Sequence, residues 1–337
     1  MIDIDGSYGE GGGAILRQAL GMAAYAGKPI RVRNIRAGRE KPGLAAQHLK
    51  SVEAAGAICG ARVRGVALRS TEITFDPGPV KPGAFKFDVG TAGSATLVLQ
   101  TVLLPCLLLP GEFQFEITGG TDVPWSPPAD YLKSVTLEVL RSFGLGQVTV
   151  PRRGYYPKGG GRLLARIVGG SGFGSSLALR DPGVVKQIRG VSHATEQLRE
   201  RKVAERQADA AEHLLQRLGC PVKIEVEYSD ALNLGSGITL WTESDIGPPI
   251  GGSALGVKGK PADEVGREAA RGLINEMTAN ATVDRYLADQ LIPFMAVSGG
   301  SFQTSGITSH TRTNIYLAKQ ILGASFEVED LTVTAAR

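Results

Sequence analysis

The stretch SATLVLQTVLLPCLLLPGEFQFEI (residues 94–117) lies over GGGAILRQALGMAAYAGKPIRVRN (11–34) at an offset of 83 residues, and that register decides how the chain is built. It sets Arg17 over Gln100 and Ile30 over Phe113, and it carries Leu49-Lys50-Ser51-Val52 onto Leu132-Lys133-Ser134-Val135. One shared tetrapeptide is weak, but a single offset running through an apolar helix pattern and an alternating strand pattern marks an internal repeat. Each copy reads as a strand, a Gly-rich turn and an apolar helix closed by Gly, then an alternating strand. A second helix (GLAAQHLKSVEAAGAICG, 43–60; PPADYLKSVTLEVLRSFG, 127–144) and two further strands complete it.

A third copy is expected in GITSHTRTNIYLAKQILGASFEVED (306–330). Placing Phe326 over Phe113 and Ile30 sets Thr313 level with Gln100 and Arg17, and His310 one helical turn earlier, level with Leu97 and Ala14. Around a pseudo-threefold centre, Arg17, Gln100 and His310 would converge. The stretch from 182 to 277 has a different character: a strand, a charged helix (196–219), a strand, a loop with another strand, and a final helix. The predicted fold is therefore α/β (α+β), three repeated units of two helices and a four-stranded sheet. Residues 1–181 and 278–337 form the repeat-built domain and 182–277 a small inserted α/β domain.

Of 337 residues, 42% are hydrophobic and 21% charged, as expected for a globular chain able to bury a substantial core. The start, MIDIDGSYGE, has neither the basic nor the apolar region of a secretory signal. The most apolar run (96–110) is short for a bilayer and is broken by Gln100 and Pro105, so a buried helix is expected and no membrane. Cys59, Cys106 and Cys220 are widely spaced, which argues against a disulfide framework or structural zinc and for a reducing, cytoplasmic setting. The net charge of +4 permits an anionic partner without naming one.

Three glycine-containing motifs carry chemistry or its imitation. GEGGGA (9–14) matches a dinucleotide fingerprint formally, yet the following strand ends in basic residues and no Walker sequence exists, so turn geometry explains the glycines. Glu10 within it is suited to a divalent metal or to an ordinary ion pair. Arg36 and Arg39 sit in a Gly/Pro-rich loop after an alternating strand, where phosphate-binding groups are often placed. Three glycines in RRGYYPKGGGRL (152–163) weaken a strand pair, which implies either a bulge or a close backbone approach to another element or a ligand.

Among four histidines, His48 reads as a helix-surface residue, and His193 and His213 have no cysteine or carboxylate at ligand spacing. His310 by itself reads most simply as a polar residue covering a helix end. Its neighbours Ser309, Thr311, Thr313 and Asn314 make a helix start rich in hydrogen-bonding groups, and such a start attracts phosphate and favours a neutral, nucleophilic imidazole.

Together RGYYPKGGGRL, DGSYGEGGGAILRQAL, IRAGREKPGLAAQHL, GGTDVPWSPPADY and DRYLADQLIPFMA resemble the RNA 3′-terminal phosphate cyclases over nearly the whole chain. The resemblance implies a fold of three repeated units with a smaller domain inserted in the third. It implies an ATP-dependent conversion of an RNA 3′-terminal phosphate to a 2′,3′-cyclic phosphate through covalent histidine–AMP and RNA-adenylate intermediates. By motif position it implies His310 as nucleophile and Glu10 as ligand of a divalent metal (Mg or Mn), with Gln100 beside it. Arg17, Arg36 and Arg39 would hold phosphates, with Gln47 a polar contact nearby. Pro127, Tyr286, Asp289 and Gln290 would shape the nucleoside pocket. Two rivals remain: a non-catalytic relative serving ribosome assembly, which lacks the histidine, and an enolpyruvyl transferase, which needs no RGYYPKGGG.

Overall fold

The computed structural model describes residues 1–170 and 176–336. The chain opens with β1 (Ile2–Asp5), α1 (Ala14–Ala26), β2 (Ile30–Arg33), α2 (Ala46–Cys59), β3 (Arg62–Arg64) and β4 (Ile73–Asp76). There follow β5 (Gly83–Asp88), α3 (Ala95–Leu108), β6 (Gly111–Gly119), a helix α4 (129–142) with a π turn at its centre, β7 (Gly144–Arg152) and β8 (Gly161–Gly169). Next come β9 (Leu177–Leu179), β10 (Val185–Thr195), α5 (Val203–Leu215), β11 (Val222–Ser229), β12 (Ser236–Ser244), β13 (Gly251–Leu255) and α6 (Ala262–Thr278). The chain ends with α7 (Arg285–Ser298), β14 (Gly300–Gln303), α8 (Ser309–Leu317, continued by the π turn Ala318–Leu322), β15 (Phe326–Glu329) and β16 (Thr332–Ala335).

Among the described residues the strands form four mixed four-stranded sheets, ordered β1-β2-β4-β3, β5-β6-β8-β7, β9-β14-β16-β15 and β11-β10-β12-β13. In the first three, the first pair is parallel and the other two pairs are antiparallel. These three sheets and their helices share one hydrophobic core, in which α1 packs on α3 and α8. Every residue of α3 except Gln100 is buried, as the apolar run predicts, and each fully buried Leu or Val there contributes about 2 kcal/mol. Cys59 and Cys106 are core residues and all three cysteines are free thiols. No helix among the described residues is long and apolar enough to cross a membrane.

The fourth sheet has its own core, built with α5 and α6. Its charged helix begins only at Val203, because Lys202 takes a left-handed conformation (φ 48°) and Glu196–Leu198 forms a separate 3₁₀ turn.

The register expected for the last unit is overturned. Ile30 and Phe113 lie on inner strands, β2 and β6, whereas Phe326 lies on the outer strand β15. In the third sheet α7 leads into β14, as α1 leads into β2, and α8 lies between β14 and β15, as α2 lies between β2 and β3. Arg17 and Gln100 therefore have their positional counterparts on α7, while His310 sits at the level of Gln47 and His48. Both helices of a unit begin at a polar turn, end near Gly and lead into an alternating strand, so periodicity alone does not separate them.

The glycine motif meets another part of the chain. A Cβ on Gly159 would lie 2.6 Å from the Thr91 carbonyl oxygen, and one on Gly160 would lie 2.2 Å from Leu232 of the segment before β12. Asn233 Nδ2 donates to the Tyr156 carbonyl at 2.9 Å, and Gly235 leaves room for the Tyr155 ring. Beneath this contact Arg153, 1% exposed, pairs with Asp122 at 3.2 Å, Asp130 at 2.8 Å and Glu227 of β11 at 2.9 Å. The Glu227 pair ties the fourth sheet to the segment that follows β7. Removing the cation strands three carboxylates, two of them buried. Arg153→Leu is expected to cost about 3–5 kcal/mol in urea denaturation at neutral pH; a loss below about 1 kcal/mol would show that the cluster holds nothing.

Candidate active site

The Gly-rich turn after β1 and the basic loop after β2 lie against each other because their glycines leave no side chain between them. Gly38 N–H donates to the Gly11 carbonyl at 3.1 Å, and a Cβ on Gly38 would strike the Glu10 carbonyl at 2.4 Å. Glu10 thereby reaches across to the start of α8. Its Oε1 accepts from the Ser309 hydroxyl, and its Oε2 lies 3.8 Å from His310 Nε2 and 3.5 Å from Arg39 Nη2. The Ser309 hydrogen bond, with His310 and Arg39, holds the Glu10 carboxyl below its ordinary range.

The start of α8 is fixed from behind. The Thr308 hydroxyl caps the helix by accepting from Thr311 N–H at 3.0 Å. The Thr308 and Thr311 hydroxyls also donate to Asp289 Oδ1, at 2.6 and 2.7 Å, and Asn314 Nδ2 donates to the Asp289 carbonyl at 2.7 Å. Burial pushes the Asp289 carboxyl up, against those hydrogen bonds. His310, the second residue of the helix, stays partly exposed at its mouth.

The other expected residues make separate contacts. Gln100 Nε2 donates to Gln290 Oε1 at 2.6 Å, which also accepts from the Thr136 hydroxyl, while Gln290 Nε2 donates to the Tyr286 carbonyl. Gln47 Oε1 accepts from Ser94 N–H at 2.7 Å, and the Pro127 carbonyl accepts from the Thr96 hydroxyl at 2.8 Å. Arg36 spends one guanidinium nitrogen on the carbonyls of Lys41 and Gly43, bracing its own loop. Burial lowers the Arg17 guanidinium to about 10, and no hydrogen bond or ion pair engages its side chain among the described residues.

His48 is not a surface residue. It is 7% exposed and presses against Gly13, where a Cβ would meet its ring at 1.9 Å. Burial, then Arg17 and Arg36, lowers it from the ordinary 6.5 to about 3. A histidine on an amphipathic helix gives no sequence sign of which face it takes, and the absent side chain at Gly13 is the signal that was available. His193 is likewise engaged: Nε2 lies 3.4 Å from buried Asp122 and Nδ1 is 2.8 Å from the Tyr155 hydroxyl. Its carboxylate lies 71 positions away in the sequence, beyond any ligand-spacing rule. Asp122, Asp130 and His193 have the composition of a metal site, but the Arg153 guanidinium already occupies it.

The assembled site sets Arg39 beside Glu10 at a helix mouth that holds a histidine, while Arg17 and Arg36 lie near buried His48; a basic, open helix start of this kind is an environment for an anion. Against known proteins, the family model for RNA 3′-terminal phosphate cyclase matches residues 8–328. The chain belongs to that family. It is 47% identical to the RNA 3′-terminal phosphate cyclase of Pyrococcus furiosus, over 98% of this chain and 95% of the relative. It is 48% identical to the one from Thermococcus onnurineus (98% and 96%) and 47% identical to the one from Archaeoglobus fulgidus (98% of each).

His48 makes the cyclase fold sensitive to acid. Its folded form resists the proton that the unfolded chain accepts below about 6.5, so its contribution is full above that value and declines as pH falls toward 3. Between pH 7 and pH 5 the wild type is expected to lose about 2 kcal/mol more stability than His48→Gln, as read by equilibrium denaturation. Equal losses would remove His48 as the cause.

Proposed function

We propose that this cyclase-family enzyme uses ATP to convert an RNA 3′-terminal phosphate into a 2′,3′-cyclic phosphate, with His310 as the nucleophile. The observation that carries the reading is the imidazole at the open N-terminus of α8, 3.8 Å from Glu10 and within reach of the arginine loop.

The imidazole nitrogen attacks the α-phosphorus of ATP; a P–N bond forms, the bond to the β-phosphate oxygen breaks, and pyrophosphate leaves. An oxygen of the RNA 3′-phosphate then attacks the same phosphorus, the P–N bond breaks, and AMP passes to the RNA end. The neighbouring 2′-hydroxyl attacks the terminal phosphorus, losing its proton and expelling AMP, so a ribose end is required. The N–H groups of the first turn of α8 and the guanidiniums of Arg17, Arg36 and Arg39 stabilise charge on the transferred phosphoryl group.

The donor set around Glu10 fits a divalent ion of the magnesium type, which takes one or two protein carboxylates and completes its shell with water and phosphate oxygens. Glu10 would hold Mg or Mn, with Gln100 toward the same ligand, and the ion would neutralise phosphate charge. Tyr286 and Pro127 border the nucleoside with apolar surface, while Asp289, Gln290 and Gln47 fix the walls that carry them. We also read the three sheets of like connectivity as copies of one unit. These units comprise residues 1–181 and 278–337, interrupted after β9 by the inserted domain 182–277. The free thiols support work in the cytoplasm.

Incubation with α-labelled ATP and magnesium is expected to label the protein, and His310→Ala to abolish the label; equal labelling of the variant removes His310 as the nucleophile. Arg36→Ala with Arg39→Ala is expected to lower cyclisation of 3′-phosphate RNA at least about 100-fold, since two charge-assisted phosphate contacts are lost. Unchanged turnover by a folded double variant would exclude them.

A further inference from the structure

Trp125 is 96% exposed, while the other tryptophan, Trp241, is half-buried against the core. Its backbone is left-handed, φ 60°, a conformation that bulky side chains rarely adopt. The loop that carries it is firmly held. Thr121 and Asp122 are buried, Thr121 N–H donates to the Gly154 carbonyl at 2.9 Å, and Ala129 N–H donates to the Thr121 carbonyl at 3.0 Å. The Ser126 hydroxyl closes the turn on the Val123 carbonyl at 2.9 Å. A rigid loop thus displays a strained, unburied indole, and no ring contact, hydrogen bond or cation engages it among the described residues.

Two independent links tie this loop to the active site. Two residues on, Pro127 accepts from Thr96, whose hydroxyl pairs with that of Ser94, and Ser94 N–H donates to Gln47 beside His48. Six residues on, the Tyr131 hydroxyl donates to Asp284 at 2.7 Å, the residue that caps α7 in front of exposed Tyr286. The loop that displays the indole is thereby bonded to the segments that carry Gln47 and Tyr286. An aromatic face without a partner, on a held loop bonded to a site that receives a nucleic-acid end, is suited to stack an unpaired base.

We propose that Trp125 is the stacking platform for an unpaired base near the 3′ end of the RNA substrate, and so sets the preference for single-stranded ends. The proposal rests on the RNA-cyclising reading of the site. It extends that reading from the reacting phosphate to the strand that delivers it.

Titration with a single-stranded 3′-phosphate oligoribonucleotide, without ATP, is expected to quench tryptophan emission in the wild type. Trp125→Phe should lose the quench while keeping the stack. In cyclisation assays Trp125→Ala is expected to raise KM for that RNA about tenfold, within the range of one base–aromatic stack, and Trp125→Phe to restore most of it. ATP-dependent self-labelling should match the wild type in both variants. An unchanged RNA KM in Trp125→Ala overturns the proposal. So does a raised KM for ATP in labelling, which would make adenine the occupant, or a dimer that dissociates in Trp125→Ala, which would make it a second copy of this chain. If the wild type cyclises no RNA, the activity reading fails, and the quench by RNA alone still decides whether Trp125 binds a base.

Discussion

The carboxylate of Asp289 is the constraint on which the site depends. It stands in the second turn of α7 and accepts the hydroxyls of Thr308 and Thr311, the two residues that cap α8. Burial disfavours its charge, so the hydroxyl donors make the arrangement tolerable, and a misplaced threonine would leave a buried oxygen without a partner. Because those threonines bracket His310, the orientation of the helix mouth is set by packing behind it rather than by the exposed loop in front.

The same economy appears at the other walls. Gln100 and Gln290 meet side chain to side chain, and Gln47 and Thr96 join α2, α3 and the Pro127 loop through single hydrogen bonds. Glycines at 11, 13 and 38 bring the acidic turn, the basic loop and His48 within contact, which lets Glu10 span from β1 to α8. Away from the site, the Arg153 cluster and the glycines of 159–160 tie the fourth sheet to the segment that follows β7. That motif is spent on backbone approach between two parts of the chain.

What the sequence made legible is what periodicity and chemistry encode locally. The apolar helix at 95–108, the mixed strand–helix pattern and a bulge or close approach at three glycines follow from patterns within twenty or so residues. The partner of His193, the burial of His48 and the helical position of His310 depend on which faces meet across distant segments. For α8 the local pattern was ambiguous in kind, since first and second helices of a unit share their punctuation, and only strand order distinguishes them. His310 does lie at a helix mouth, and two of the hydroxyls beside it, those of Thr308 and Thr311, turn inward to Asp289.

Catalysis as proposed requires a covalent bond at His310. The direct measurement is peptide mapping by mass spectrometry after incubation with ATP and magnesium, quenched under alkaline conditions that preserve a phosphoramidate. It predicts AMP on the peptide containing His310, lost on acid treatment and discharged when 3′-phosphate RNA is added. AMP on a lysine or on another histidine, or cyclisation proceeding in full with no adduct on any peptide, would contradict it.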